Sequence, residues 1–340
     1  MSKRQYHVAI VGATGAVGVE MLDVLERRDF PVKKLTLLAS ARSAGKTLTF
    51  RGGPVEVAEL KPDSFAGVDV ALFSAGSGIS KEYAKHAVDA GAVVVDNSSA
   101  FRMDDDVPLV IPEINGADVK HHQGIIANPN CTTIVTLMGL FPLHQRFRVR
   151  RVLASSYQAV SGAGAQGIEE LREQVSAGDG GAAPEPSVFA HPIAFNVIPQ
   201  VDSFVENGYT KEEMKMQNEG RRIMHLSMFR ASVTCVRVPV YRAHSVAVTA
   251  EFEKPVNVME AREVIDRFDG VRVVDDPAKS RYPMPLNVAG KDDCEVGRLR
   301  LDCAWDNALS FWCCGDQVLK GAALNAVQIA ELVAEGIGDA

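Results

Sequence analysis

A largely apolar run at residues 6–11, Tyr-His-Val-Ala-Ile-Val, leads directly into Gly12-Ala13-Thr14-Gly15-Ala16-Val17-Gly18. Helical spacing of apolar residues then continues from Val19 to about Arg28. A buried strand, a glycine turn and a helix in that order commit this part of the chain to a parallel, helix-covered sheet. Such a turn lets a pyrophosphate approach the helix N-terminus, where backbone N–H groups are unpaired. The glycine spacing departs from the usual G-x-G-x-x-G, and an ordinary tight turn would use the same glycines. The alternation continues: strands are expected at 34–39, 68–73 and 92–95, with a helix over 80–90.

In dinucleotide folds the residue after the second strand chooses the cofactor. A carboxylate there holds a ribose 2′-hydroxyl, and an arginine accommodates a 2′-phosphate. Here the strand ends in Ala39-Ser40-Ala41-Arg42-Ser43, with no carboxylate. Arg42 and Ser43 suit a 2′-phosphate, so the expected cofactor is NADP(H) rather than NAD.

After about residue 147 the pattern changes. Long strands are expected at 150–160, 231–240, 245–253, 294–303 and 308–314, with helices ending near 178 and spanning about 210–225. Successive long strands indicate an α+β domain with a mixed or antiparallel sheet. The glycine-, alanine- and proline-rich residues 179–187 read as a loop. The expected organisation is a Rossmann-type domain over 1–130, completed by a C-terminal helix at 317–340, and a catalytic and dimerisation domain over 131–316. The fold class is therefore α/β.

The net charge is −7, from 36 basic and 43 acidic residues, and aromatics make up 6% of the chain. Neither the overall field nor a stacking surface suits nucleic acid. No stretch approaches the roughly 18–20 apolar residues of a membrane span. The six cysteines form no C-x-x-C pair and no histidine cluster has zinc spacing, so no metal is expected. The N-terminus lacks a signal peptide's apolar core, which points to a reducing cytoplasm.

One cysteine stands apart. Gly124-Ile125-Ile126-Ala127 reads as a short strand, Asn128-Pro129-Asn130 as a turn, and a helix opens at Cys131. A thiol in a helix's first turn faces unpaired N–H groups and the positive end of the dipole, which favour the reactive thiolate. The competing reading is a small buried apolar residue. A thiolate beside a nicotinamide suits one chemistry: attack on an activated acyl group, then hydride reduction of the thioester. That needs an acid/base, an oxyanion stabiliser and substrate anchors.

Candidates for those tasks are spread along the chain. Arg237 and His244 lie in Arg-Val-Pro-Val-Tyr-Arg-Ala-His, and a histidine titrates near neutrality. Gln158 stands at a strand end before the glycine turn Ser161-Gly162. Arg102 follows the fourth parallel strand, where ligands of such sheets sit. Glu212 and Lys215 share one face of a helix. Each also has an ordinary structural explanation: a packed histidine, a strand-end amide, a solvated arginine and a solvated ion pair.

Taken together, the motifs resemble the aspartate-β-semialdehyde dehydrogenase family. They are Gly-Ala-Thr-Gly-Ala-Val-Gly at 12–18, Ala-Ser-Ala-Arg-Ser-Ala-Gly-Lys at 39–46, Asn-Ser-Ser-Ala-Phe-Arg at 97–102 and Asn-Pro-Asn-Cys-Thr-Thr at 128–133. They continue with Gln-Ala-Val-Ser-Gly-Ala-Gly at 158–164, Lys-Glu-Glu-Met-Lys-Met at 211–216 and Arg-Val-Pro-Val-Tyr-Arg-Ala-His-Ser at 237–245. Gly-Asp-Gln at 315–317 and Gly-Ala-Ala-Leu-Asn-Ala at 321–326 complete the series, which covers nearly the whole chain in order.

The resemblance implies an NADPH-dependent enzyme that converts L-aspartyl 4-phosphate to L-aspartate 4-semialdehyde, on the route to lysine, threonine and methionine. It implies Cys131 as the thioester nucleophile, His244 as acid/base and Gln158 as the residue orienting the acyl group. Arg237 would clamp the substrate α-carboxylate and Glu212 would face its ammonium. Arg102 and Lys215 would hold phosphate. Gly12, Thr14, Gly15, Ala16, Val17, Arg42, Ser43, Ser161, Gly162 and Gln317 match cofactor contacts, with Asn325 near the nicotinamide. A homodimer or homotetramer is also implied. The nearest rival is an N-acetyl-glutamyl-phosphate reductase, which would have little use for Glu212. A cysteine acyltransferase or hydrolase would leave the glycine loop and Arg42-Ser43 unused, and a non-catalytic NADP sensor would leave Cys131, Gln158 and His244 unused.

Overall fold

The computed structural model describes residues 4–178 and 185–338, so most of the loop expected at 179–187 lies outside the described residues. The chain divides into two compact units, Met1–Asn130 with Ala322–Ala340, and Cys131–Gly321.

The first unit is a seven-stranded sheet in the order β3-β4-β2-β1-β5-β6-β7. Its elements are β1 (Tyr6–Val11), α1 (Ala16–Arg27), β2 (Val32–Ala39), β3 (Thr47–Phe50), β4 (Gly53–Glu59) and β5 (Val70–Phe73), then α2 (Ser77–Asp89), β6 (Val93–Asp96), α3 (Pro112–Asn115) and β7 (Ile125–Ala127). All pairings are parallel except β3 with β4. Every residue of β1 and β5 is buried, as expected of strands covered on both faces. The strand order reverses beside β1, so the loop after β1 lies at the switch point where such sheets bind ligands. Gly12 holds that loop in shape. Its φ is +86°, and a Cβ there would stand 2.4 Å from the Ser74 carbonyl oxygen.

The second unit begins with α4 (Cys131–Phe147) and continues with β8 (Val149–Gln158), α5 (Ala165–Ala177), α6 (Lys211–Ile223), β9 (Arg230–Arg237) and β10 (His244–Phe252). It closes with α7 (Val258–Asp266), β11 (Val271–Val273), α8 (Pro285–Val288), β12 (Cys294–Leu301) and β13 (Ala308–Gly315). The six-stranded sheet runs β11-β12-β13-β10-β8-β9 and is mixed: β8 with β9 and β11 with β12 are parallel, and the rest are antiparallel. Helix α4 lies close against it, since a Cβ on Gly139 would come within 2.6 Å of Cys313 Sγ.

The region expected as a single helix from 317 is a turn of π-helix at Leu319–Ala323 followed by α9 (Leu324–Gly338). Helix α9 packs in the first unit, where Tyr6 donates to the Ala334 carbonyl and Arg28 forks onto the Glu331 carboxylate. Gln317, Lys320 and Gly321 belong to the second unit.

Candidate active site

Sheet register assembles the site of the second unit at one edge. Gln158 and Arg237 end the parallel strands β8 and β9 side by side. Because β10 runs antiparallel to β8, its first residue, His244, starts at that same end, opposite Gly315 of β13. Cys131 opens α4, and Gln158 Nε2 donates to Oγ1 of its neighbour Thr132 at 2.8 Å. The same Nε2 donates to Glu212 Oε1 at 3.0 Å.

Glu212 is aimed by the start of α6. Thr210 and Glu213 form a reciprocal capping box, and Glu213 Oε1 also accepts from the Cys235 N–H of β9 at 2.9 Å. Helix start and strand are thereby pinned to each other. Glu212 is 7% exposed and takes Lys215 Nζ at 2.7 Å, with Asp202 a second partner of that lysine at 3.3 Å. This is a buried carboxylate, which needs such partners, rather than a solvated ion pair.

Arg237 is likewise buried. Its Nη1 donates to the Ala159 carbonyl at 2.7 Å, and its guanidinium lies over the Phe189 ring. Burial works against its charge; Glu212, Cys131 and Cys235 offset that, which puts Cys131 within electrostatic reach of the guanidinium. Burial pushes the Cys235 thiol up to about 12, so it stays protonated and inert beside Cys131.

His244 is fully buried, and burial first, then Arg237, pushes its imidazole down to about 3. It is neutral at physiological pH. Its Nδ1 accepts the Ala159 backbone N–H at 3.1 Å, which leaves the proton on Nε2. That Nε2 has no hydrogen-bond partner among the described residues. A buried donor without a partner is expensive, and active sites are where such a cost is tolerated. The preceding Ala243 has φ +73° and donates its N–H to Gln317 Oε1 at 2.8 Å. Gln317 Nε2 in turn donates to Ser161 Oγ. Asp316, fully buried, accepts from Arg242, Gly290, Val318 and Leu319 and fixes that corner.

Two glycines leave room around these groups. A Cβ on Gly162 would lie 2.8 Å from Arg237 Nη1 and 3.2 Å from His244 Cε1. A Cβ on Gly321 would lie 2.9 Å from Cys131 Cβ.

In the first unit, Gly12, Thr14, Gly15, Ala16 and Val17 form the loop and first turn of α1. Its N-cap, Gly15, makes no side-chain capping bond and the first turn carries no acidic residue, so the arrangement fits an anion. Thr14 Oγ1 donates to Ser43 Oγ at 3.4 Å, tying the Arg42-Ser43 turn to the glycine loop. Arg42 is exposed and Ser43 buried. Arg102 is no solvated surface arginine. It is 7% exposed and donates to the Asn128 and Asn97 carbonyls at 2.9 and 3.0 Å. Asn128 also takes Asn325 Nδ2 at 2.7 Å, so Arg102 and Asn325 share one network.

Sequence reasoning therefore named residues that the structure brings together in two sets. It did not single out Thr132, Gly321, Phe189, Asp316 or the Ala159 backbone. Their signals are weak in sequence, because a backbone N–H and a bare glycine wall acquire meaning only through neighbours distant in the chain.

Comparison with known proteins matches this architecture. A family profile described as "Semialdehyde dehydrogenase, NAD binding domain" matches residues 7–122, and one described as "Semialdehyde dehydrogenase, dimerisation domain" matches residues 140–320. Among curated relatives, the aspartate-semialdehyde dehydrogenase of Aquifex aeolicus is 52% identical over 98% of this chain and 99% of its own. That of Synechocystis is 50% identical over 96% and 97%. Among solved structures, aspartate semialdehyde dehydrogenase II of Vibrio cholerae, complexed with ASA, superposes with a TM-score of 0.95 at 43% identity, covering 98% of this chain and 99% of that one. The chain belongs to the semialdehyde dehydrogenase family, among relatives that are aspartate-semialdehyde dehydrogenases.

Proposed function

We propose that this chain catalyses the NADPH-dependent reductive dephosphorylation of L-aspartyl 4-phosphate to L-aspartate 4-semialdehyde and phosphate. The observation that carries the substrate is the buried pair of opposite charges beside Cys131. Arg237 is pinned by one Nη, leaving the other edge of its fork for a carboxylate, and Glu212 is aimed by the α6 cap. An amino acid presents the complementary pair, an α-carboxylate and an ammonium. An N-acetylated substrate has no cation for Glu212, which disfavours the N-acetyl-glutamyl-phosphate reductase reading.

The Cys131 thiolate attacks the acyl carbon; the S–C bond forms, the C–O bond to phosphate breaks, and phosphate leaves as an anion. Arg102 and Lys215 are the proposed phosphate-holding cations. NADPH, held by the glycine loop, Arg42 and Ser43, would supply the hydride that reduces the thioester, and Ser161, Gly162, Gln317 and Asn325 are further proposed cofactor contacts. Cys131 is then released as the C–S bond breaks. His244 acts from its Nε2–H as hydrogen-bond donor to the oxyanion of each tetrahedral intermediate; the collapsing thiohemiacetal oxyanion expels Cys131 as a thiolate, so no proton is drawn from the neutral imidazole. In this tautomer it does not deprotonate the thiol. The α4 N-terminus and Arg237 supply the stabilisation of the thiolate.

The match to a dimerisation domain, with Leu153 and Tyr157 exposed on β8, supports a homodimer or a homotetramer built from it. No helix among the described residues is long and apolar enough to cross a membrane, and a cytoplasmic enzyme is the reading we adopt. The test is phosphate-dependent reduction of NADP by aspartate semialdehyde, run beside NAD and beside N-acetyl-glutamate semialdehyde. Turnover with the N-acetyl substrate alone would overturn the assignment.

A further inference from the structure

Arg237 is held on one edge by the Ala159 carbonyl, and one of its faces meets an aromatic ring. The Phe189 ring lies under the guanidinium, 5.6 Å from Cζ to the ring centroid. The Cζ end of that ring lies against α5, where a Cβ on Gly167 would come within 3.1 Å of it. The aromatic therefore touches both the α5 backbone and the cation, packed beside Val160, Leu171, Ile193 and Ile198.

The segment bearing Phe189 has no helix or strand of its own to fix it. Two buried side chains of α5 do so. One oxygen of Glu170 accepts from Ser187 N at 2.9 Å, Ser187 Oγ at 3.0 Å and Val188 N at 2.6 Å. Gln174 Oε1 accepts from Ile193 N at 2.8 Å and Ala194 N at 3.0 Å. Gln174 Nε2 donates back to Glu170 at 3.3 Å. Polar side chains 5% and 3% exposed are spent on tying down a loop on both sides of one phenylalanine.

We infer that Phe189 is a positioning residue for the carboxylate-binding Arg237, and that Glu170 holds it in place. The inference rests on the substrate reading above. The ring excludes water from one guanidinium face and fixes the plane in which the free edge meets a carboxylate.

The test is steady-state kinetics of the full-length enzyme in the phosphate-dependent oxidation of aspartate semialdehyde. Phe189→Leu raises KM for the semialdehyde about tenfold, with kcat within about twofold and KM for phosphate and NADP unchanged. Phe189→Tyr, which keeps the ring, restores the wild-type KM. Glu170→Ala raises the same KM, and Phe189→Leu combined with Glu170→Ala raises it no further than the larger single effect. A structural role alone would lower the melting temperature or move all three KM values together, and either pattern without the selective KM effect overturns the inference. So does an unchanged semialdehyde KM in Phe189→Leu, or full additivity in the double variant. If the leucine variant does not fold, Phe189→Met and Phe189→Trp repeat the contrast with and without a ring. A wild type inert toward aspartate semialdehyde overturns the substrate reading itself; a wild-type enzyme that turns it over while Phe189→Leu keeps its KM overturns only the role of Phe189.

Discussion

Gly162→Ala isolates the geometry of the site from the stability of the fold. Gly162 lies in the short 3-10 turn Val160–Ala163 and is not among the positive-φ glycines, so alanine is compatible with the backbone. The new methyl would stand 2.8 Å from Arg237 Nη1 and 3.2–3.3 Å from the His244 ring. Ordinary contact begins near 3.5 Å, so the guanidinium must retreat by about 0.7 Å. Neither neighbour has room to do so freely, since Arg237 is tied to the Ala159 carbonyl and His244 is fully buried. A displacement of about 1 Å at a reacting centre costs on the order of 100-fold, so kcat/KM should fall about 10- to 100-fold. Overpacking should cost folding only about 1–3 kcal/mol, and the turn should absorb part of that. The assay is phosphate-dependent NADP reduction, paired with thermal unfolding of the same preparation. A folded Gly162→Ala enzyme with kcat/KM within twofold of wild type would refute the proposed closeness of Arg237 and His244 to reacting groups.

Cys131→Ala should abolish phosphate-dependent turnover while leaving cofactor binding intact, and surviving activity would sink the thioester route. The His244 imidazole is held near 3, far below its unfolded value of 6.5. As pH falls below 6.5 the unfolded state takes up a proton that the folded state refuses, so stability is lost by up to about 1.4 kcal/mol per pH unit between those values. Burial also lowers His7, His122 and His144, with the same sign, so the informative measurement is the difference between wild type and His244→Asn. The variant should lose less stability on going from pH 7 to pH 5, and parallel curves would contradict a buried neutral imidazole. Arg42→Ala should weaken NADPH binding about tenfold and leave NADH binding nearly unchanged, and an equal effect on both would remove Arg42 from 2′-phosphate recognition.

Much of this was readable from the sequence because local chemistry and chain order coincide there. Strand β1, Gly12 and α1 are contiguous, and so are β7, the Asn-Pro-Asn turn and the helix opening at Cys131. Gln158 was legible as a strand-end amide and Arg237 and His244 as polar candidates in the second domain's strands, but their meeting depends on strand order and direction, which residues 158, 237 and 244 do not encode locally. The hairpin β3–β4 escaped notice although Leu48 and Phe50, then Val55 and Val57, alternate with polar residues, because each run carries only two such apolar positions and is mostly exposed. The neutral state of His244 was also out of reach. It comes from complete burial and from one backbone N–H, at Ala159, and neither leaves a residue-type signature.

The bare backbone at Gly321 behind Cys131 has a consequence on another timescale. Every glycine codon is one base change from an alanine codon, so this substitution is always a single mutational step away. At most surface glycines outside the left-handed region that change passes unnoticed. At Gly321 it would press a methyl against the Cβ of Cys131, the proposed nucleophile. There a single hydrogen atom, rather than any functional group, sets what the wall behind Cys131 tolerates.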